Sequence, residues 1–137
     1  MKILYTLAFA FIAAMSAPVA SQAQDIEKPE VYVVKFYADW CKSCKIMKPA
    51  FDEFLDGIAD KPVLHVHLDL TNEQTRQKAA YMMSGLGLGK VFEAHAPKTG
   101  YALLVDGTTQ EVFAKLTKEM DTKAMQAELA KALNQAF

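Results

Sequence analysis

Runs of apolar residues change period several times along the chain, and each change predicts an element. Residues 31–38 (VYVVKFYA) are β-branched and aromatic and nearly continuous in apolar character, as expected of a strand covered on both faces. Over residues 42–59 the apolar positions Ile46, Met47, Ala50, Phe51, Phe54, Leu55 and Ile58 recur at spacings of three and four, which predicts an amphipathic helix. Pro49 sits inside that pattern and should kink it, because it lacks the N–H and crowds the preceding turn. Residues 63–70 alternate: Leu64, Val66, Leu68 and Leu70 share one strand face, and His65, His67 and Asp69 the other. Thr71 and Gln74 resemble a capping box that opens a helix to about Ser84, with Gly85 as its left-handed terminator. Residues 85–99 show no period and read as a long irregular stretch. Residues 101–105 then predict a strand, residues 106–109 a turn and residues 111–116 its hairpin partner. Asp121 caps a last helix, with Met120 and Met125 at hydrophobic-staple positions and Met125, Leu129 and Leu133 as its stripe. The order β-α-β-α-β-β-α predicts an α/β domain: an open mixed sheet flanked by helices, parallel at first and closed by an antiparallel hairpin.

The first 23 residues follow another pattern. Lys2 precedes an apolar run over residues 3–15, Pro18 breaks it, and Ser21 and Ala23 place small residues at a cleavage site. That is the layout of a secretory signal peptide, with cleavage expected after Ala23. An uncleaved anchor is the competing reading, but the run is well short of the roughly 20 residues a bilayer span needs. The expected organisation is therefore a signal peptide at 1–23 and one domain at 24–137, in which residues 24–30, with Pro29, form a short lead-in. Export to a bacterial periplasm places the chain where disulfides persist.

Composition narrows the function classes. With 15 basic and 16 acidic residues the formal charge is −1, too balanced for a protein that binds nucleic acid by neutralising phosphates. Two cysteines exclude a multi-bridge scaffold and a four-cysteine zinc site.

Those two cysteines carry the chemistry. Cys41-Lys42-Ser43-Cys44 falls at a strand-to-helix junction. At a helix start Cys41 faces unpaired N–H groups and the positive end of the helix dipole, so its pKa should fall below the free value of about 8.5. Lys42 and Lys45 add screened positive charge. Cys44, one turn on, is placed to close a small disulfide and should be the more buried. An exposed low-pKa thiol with a resolving thiol beside it is a two-electron redox couple. A structural bridge and a two-cysteine metal site share this spacing, although a bridge closing so short a loop restrains little chain entropy.

Residues 36–45 (FYADWCKSCK), with Pro49 eight positions after the first cysteine, resemble the active-site segment of the thioredoxin family. The likeness is close over residues 31–59 and looser over the whole domain. It implies a thioredoxin-like fold trimmed at the N-terminus, because only residues 24–30 precede the first strand. It further implies Cys41 as the attacking cysteine, Cys44 as the resolving one, Trp40 as the flanking tryptophan and Pro49 as the kinking proline. Two positions depart from the family pattern. Six residues before Cys41 the family often holds a buried acid, where this chain has Lys35. Lys35 either acts on Cys44 as a poorly solvated base or thiolate partner, or snorkels outward to pair with Asp69. The family also places a cis-proline before the strand opposite the dithiol. Counting back eight residues from Gly107 puts Thr99 there, with Pro97, two residues earlier, as the alternative.

Other features carry less. Residues 85–90 (GLGLGK) have the wrong glycine spacing for a phosphate loop, and Val91 stands where a hydroxyl is required. They read as a flexible loop after a helix cap. His65 and His67 fit a polar strand face beside Lys35 better than a metal site. His95 is the better third ligand for a copper-handling protein using Cys41 and Cys44, the rival functional class. The expectation is an exported thiol–disulfide oxidoreductase without cofactor or resident metal. It would reduce protein disulfides with electrons from a membrane-embedded donor and, once cleaved, would not remain inserted in the membrane. The reductive direction is preferred because the resemblance is to thioredoxin and no extra helical domain is present.

Overall fold

Strand β1 (Val31–Tyr37) lies inside a four-stranded sheet of order β2-β1-β3-β4. The computed structural model describes residues 27–134; the expected signal peptide lies outside them. Strand β2 (Val63–Asp69) pairs parallel with β1, whereas β3 (Tyr101–Asp106) and β4 (Val112–Thr117) add antiparallel. This is the mixed α/β sheet expected from the pattern.

The continuous apolar run of β1 is explained by cover on both faces. Val31 and Val33 pack with Met47, Phe51 and Phe54 of helix α1 (Lys42–Asp56) and with Met125 and Leu129 of the terminal helix α4 (Thr122–Leu133). Tyr32, Val34 and Phe36 face the opposite layer, which includes Ala79 and Met83 of helix α2 (Glu73–Gly85) and Val91 of helix α3 (Gly89–His95). Lys35 follows the odd positions and so points toward α1, in a layer otherwise made of carbon and sulfur.

Three local expectations are corrected. The cap of α2 is Asn72 paired with Thr75, one residue later than Thr71 and Gln74. Thr71 is engaged elsewhere, as shown below, which leaves Asn72 to close the helix. The helix includes Gly85 and has Leu86 as a right-handed cap; the left-handed residue is Gly87, at φ +76°. Finally, residues 85–99 are not irregular throughout, because α3 forms within them. Leu88 and Val91 are buried, and Leu86 and Phe92 pack against the same layer. Two turns are too short to display a period, so burial rather than amphipathic pattern holds α3. The last helix agrees with its reading: Asp121 accepts the Ala124 N–H at 2.8 Å, and Met125 is fully buried with Met120 against it.

The lead-in is stitched to the sheet end. Glu30 donates to the Pro62 carbonyl at 2.9 Å and accepts from the Gly107 N–H at 2.7 Å. A Cβ on Gly107 would overlap the Pro29 carbonyl, so the turn glycine is required by close approach as well as by the hairpin.

Candidate active site

The site begins where β1 runs out. Ala38, Asp39 and Trp40 turn the chain, and the Cys41 N–H closes the turn on the Ala38 carbonyl at 3.1 Å. Thr71, just beyond β2, holds this corner. Its Oγ1 accepts the Asp39 N–H and its carbonyl accepts Trp40 Nε1–H, both at 3.0 Å. Thr71 is fixed in turn by donating its own N–H to Asp69 Oδ1 at 2.8 Å. Hydrogen bonding from the Thr71 side chain first, and this N–H after it, holds the Asp69 carboxyl below its ordinary pKa against the opposing effect of burial. Trp40 is thus tethered by its ring nitrogen while 62 % of its surface stays open.

Cys41 is the N-cap of α1, and its Sγ accepts the Cys44 N–H at 3.2 Å. The two cysteines form a disulfide with their Cα atoms 5.3 Å apart. Cys44 Sγ also lies 3.7 Å from the Phe36 carbonyl. The expectation of an exposed Cys41 is corrected: in this oxidised form Cys41 is 5 % and Cys44 3 % exposed. The disulfide turns Cys41 inward, packed with Ala38 and near residue 100. Pro49 lies inside α1, where its missing N–H leaves the Lys45 carbonyl without its helical donor.

Between α3 and β3 the cis peptide bond is Ala96–Pro97. The placement of Thr99 at that position is therefore corrected in favour of Pro97. Counting back from Gly107 failed because β3 extends one residue further than read and Gly100 adds a turn before it. Gly100 has φ +97° and donates its N–H to the Phe36 carbonyl at 3.0 Å. A Cβ there would lie 2.7 Å from Ser43 Cβ and 3.4 Å from Cys41 Sγ. Sequence reasoning missed Gly100; its signal was a glycine immediately before a strand, where only a backbone need is plausible.

Lys35 does not snorkel. It is 4 % exposed, its Nζ donates to Met47 Sδ at 2.7 Å, and it stands 4.6 Å over the Phe51 ring. Burial lowers its pKa to about 8, against the opposing pull of Asp52. Register sets Lys35 opposite His67 and Val33 opposite His65. Both imidazoles are held below the ordinary histidine value, first by desolvation; Lys35 is a further repulsive neighbour of each. These groups and Cys44 line one cavity of about 350 Å³ between α1 and β2. His95 packs instead near Phe36 and Tyr101, with ring centroids 6.0 and 6.2 Å away. No group of three His, Cys, Asp or Glu among the described residues is placed to hold a metal ion.

Comparison with solved structures defines the fold class. The chain superposes on StoA from Bacillus subtilis with a TM-score of 0.53 at 21% identity, covering 76% of this chain and 85% of that one. A malaria-parasite thioredoxin-2, described as a component of a protein secretion machinery, gives 0.53 at 16% identity, covering 78% and 86%. A DsbH oxidoreductase gives 0.52 at 17% identity, covering 80% and 74%. The fold is thioredoxin-like. The Thioredoxin family model matches residues 16–87, more than half of the sequence, and the chain belongs to that family. It is 35% identical over 66 residues to a thioredoxin of Alicyclobacillus acidocaldarius subsp. acidocaldarius, covering 47% of this chain and 63% of that protein. To protein disulfide isomerase-like 1-1 of Arabidopsis thaliana it is 31% identical over 70 residues, covering 49% and 14%. The chain thus spans less than two thirds of the length of either relative.

Proposed function

We propose that this protein is an exported thiol–disulfide oxidoreductase that reduces disulfides of other proteins through Cys41 and Cys44. The supporting observation is the Cys41 sulfur at a helix N-cap, facing the Cys44 N–H at 3.2 Å. The same amide and the helix field favour a thiolate once the disulfide is opened. That thiolate attacks a substrate disulfide, a Cys41–substrate bond forms, and the substrate's other sulfur leaves and takes up a proton. Cys44 then loses its proton and attacks Cys41 Sγ. The substrate departs with both sulfurs reduced, and the Cys41–Cys44 bond is restored at the cost of two electrons from the pair.

Gly100 lies against Cys41 Sγ and Trp40 precedes it in the chain; together with the cis-Pro97 segment they would receive the substrate chain. Residues 1–23 would direct export to the periplasm and be removed after Ala23. A membrane-embedded donor would return the electrons, because a periplasm is kept oxidising. The test is trapping. Cys44→Ser should accumulate a mixed disulfide with a disulfide-containing protein such as insulin, and Cys41→Ser should not. If the two variants trap alike, or neither does, the proposal fails.

A further inference from the structure

A buried ammonium group short of acceptors needs an explanation that the dithiol chemistry does not supply. Lys35 offers three N–H donors, yet its one hydrogen bond among the described residues runs to a thioether, a weak acceptor. Asp52, the carboxylate in the same cavity wall, is engaged by Lys48. Burying a charged group without good acceptors is costly. Here the group lines a cavity of about 350 Å³, within the size range of small-ligand sites. The walls are mainly apolar, with Phe51, Leu55 and Tyr37; the Lys48–Asp52 pair of α1 also lines it as one positive and one negative group, and the exposed His65 and His67 of β2 complete it, so Lys35 is the cation without a carboxylate partner. Cys44 contributes a sulfur held in the disulfide.

We propose that this cavity binds a small organic anion, a carboxylate on a compact apolar body, with the charge on Lys35 and the histidines and the body against Phe51 and Leu55. The inference stands apart from the proposed redox activity, because the site is formed in the oxidised protein.

Affinity should follow the charge of Lys35, the group with a pKa of about 8: firm near neutrality, lost as pH rises above that value. Protonation of His65 and His67, whose pKa values lie below the ordinary one, should strengthen binding further in mild acid. The other charged groups facing Lys35 are Asp52 and Lys48, which pair with each other.

The test titrates benzoate into the full-length oxidised protein at about pH 7 while following the imidazole NMR signals of His65 and His67. The expected result is saturable binding that raises both histidine pKa values, since a bound anion favours the imidazolium. Benzamide, the neutral analogue, should bind at least about tenfold more weakly, as should benzoate to Lys35→Met, given what a charge-assisted hydrogen bond contributes. His67→Gln, at the cavity mouth, should weaken binding without disturbing the core. Equal binding of benzamide, undiminished binding to Lys35→Met, or no saturation at all would overturn the proposal. Sulfate matching benzoate would overturn the assignment to an organic anion.

Discussion

Lys35 couples the core to pH. An unfolded lysine titrates near 10.5 and this one at about 8, so between those values the unfolded chain holds more protons and stability must rise with pH. Below pH 8 the folded state carries the full cost, about 3 kcal/mol from the size of the shift. Lys35→Met should therefore be more stable than wild type near pH 7, by up to that amount, and the advantage should shrink toward pH 10. Urea unfolding at several pH values reads this directly, and a variant less stable at pH 7 contradicts it. Gly100 works by the absence of a side chain. Gly100→Ala combines a positive φ with a Cβ 2.7 Å from Ser43 Cβ, and should cost about 1–3 kcal/mol. It should also slow reaction of the reduced dithiol with an alkylating reagent; unchanged melting and unchanged rate would mean that the residue is dispensable.

Among elements, the junction of β1 and α1 depends on a residue from the end of β2. Thr71→Val removes the acceptor of the Asp39 N–H but leaves the backbone bond to Trp40, and should cost about 1 kcal/mol. Faster hydrogen exchange at the Asp39 amide would register the loosened corner. Asn72→Ala should destabilise α2 by about 1 kcal/mol, whereas Gln74→Ala should be close to neutral, because Asn72 and Thr75 form the cap. Such shifts show what a sequence can reveal. Helices α1 and α4 were legible because each buries a stripe long enough to show its period, and β1 and β3 because they are apolar almost throughout. The cap of α2 was misread because Thr71 and Asn72 are both good caps, and the choice between them is made by Asp39 and Trp40, more than 30 positions away in sequence. Helix α3 and Gly100 were illegible for a related reason: two buried turns and one backbone approach leave no repeating signal. The cysteine pair was legible from its spacing and flanks, while the burial of Cys41 required knowledge of what packs opposite.

For the whole molecule, the four-stranded sheet of the described residues carries helices on both faces and places the end of β1, the start of α1, the end of β2 and the segment before β3 around one disulfide. If residues 1–23 direct export and are removed, the protein of an expressing bacterium should be recovered from the periplasm and begin at Gln24 by mass spectrometry; absence from the periplasm would contradict export, and an intact Met1 there would contradict cleavage after Ala23. The central claim concerns the helix that begins at Cys41. Its most direct test is the thiolate absorbance of the reduced protein as a function of pH. One sulfur should ionise at least about one unit below the free value of about 8.5, and that transition should vanish in Cys41→Ser and persist in Cys44→Ser. Two thiols titrating together at the free value would contradict it.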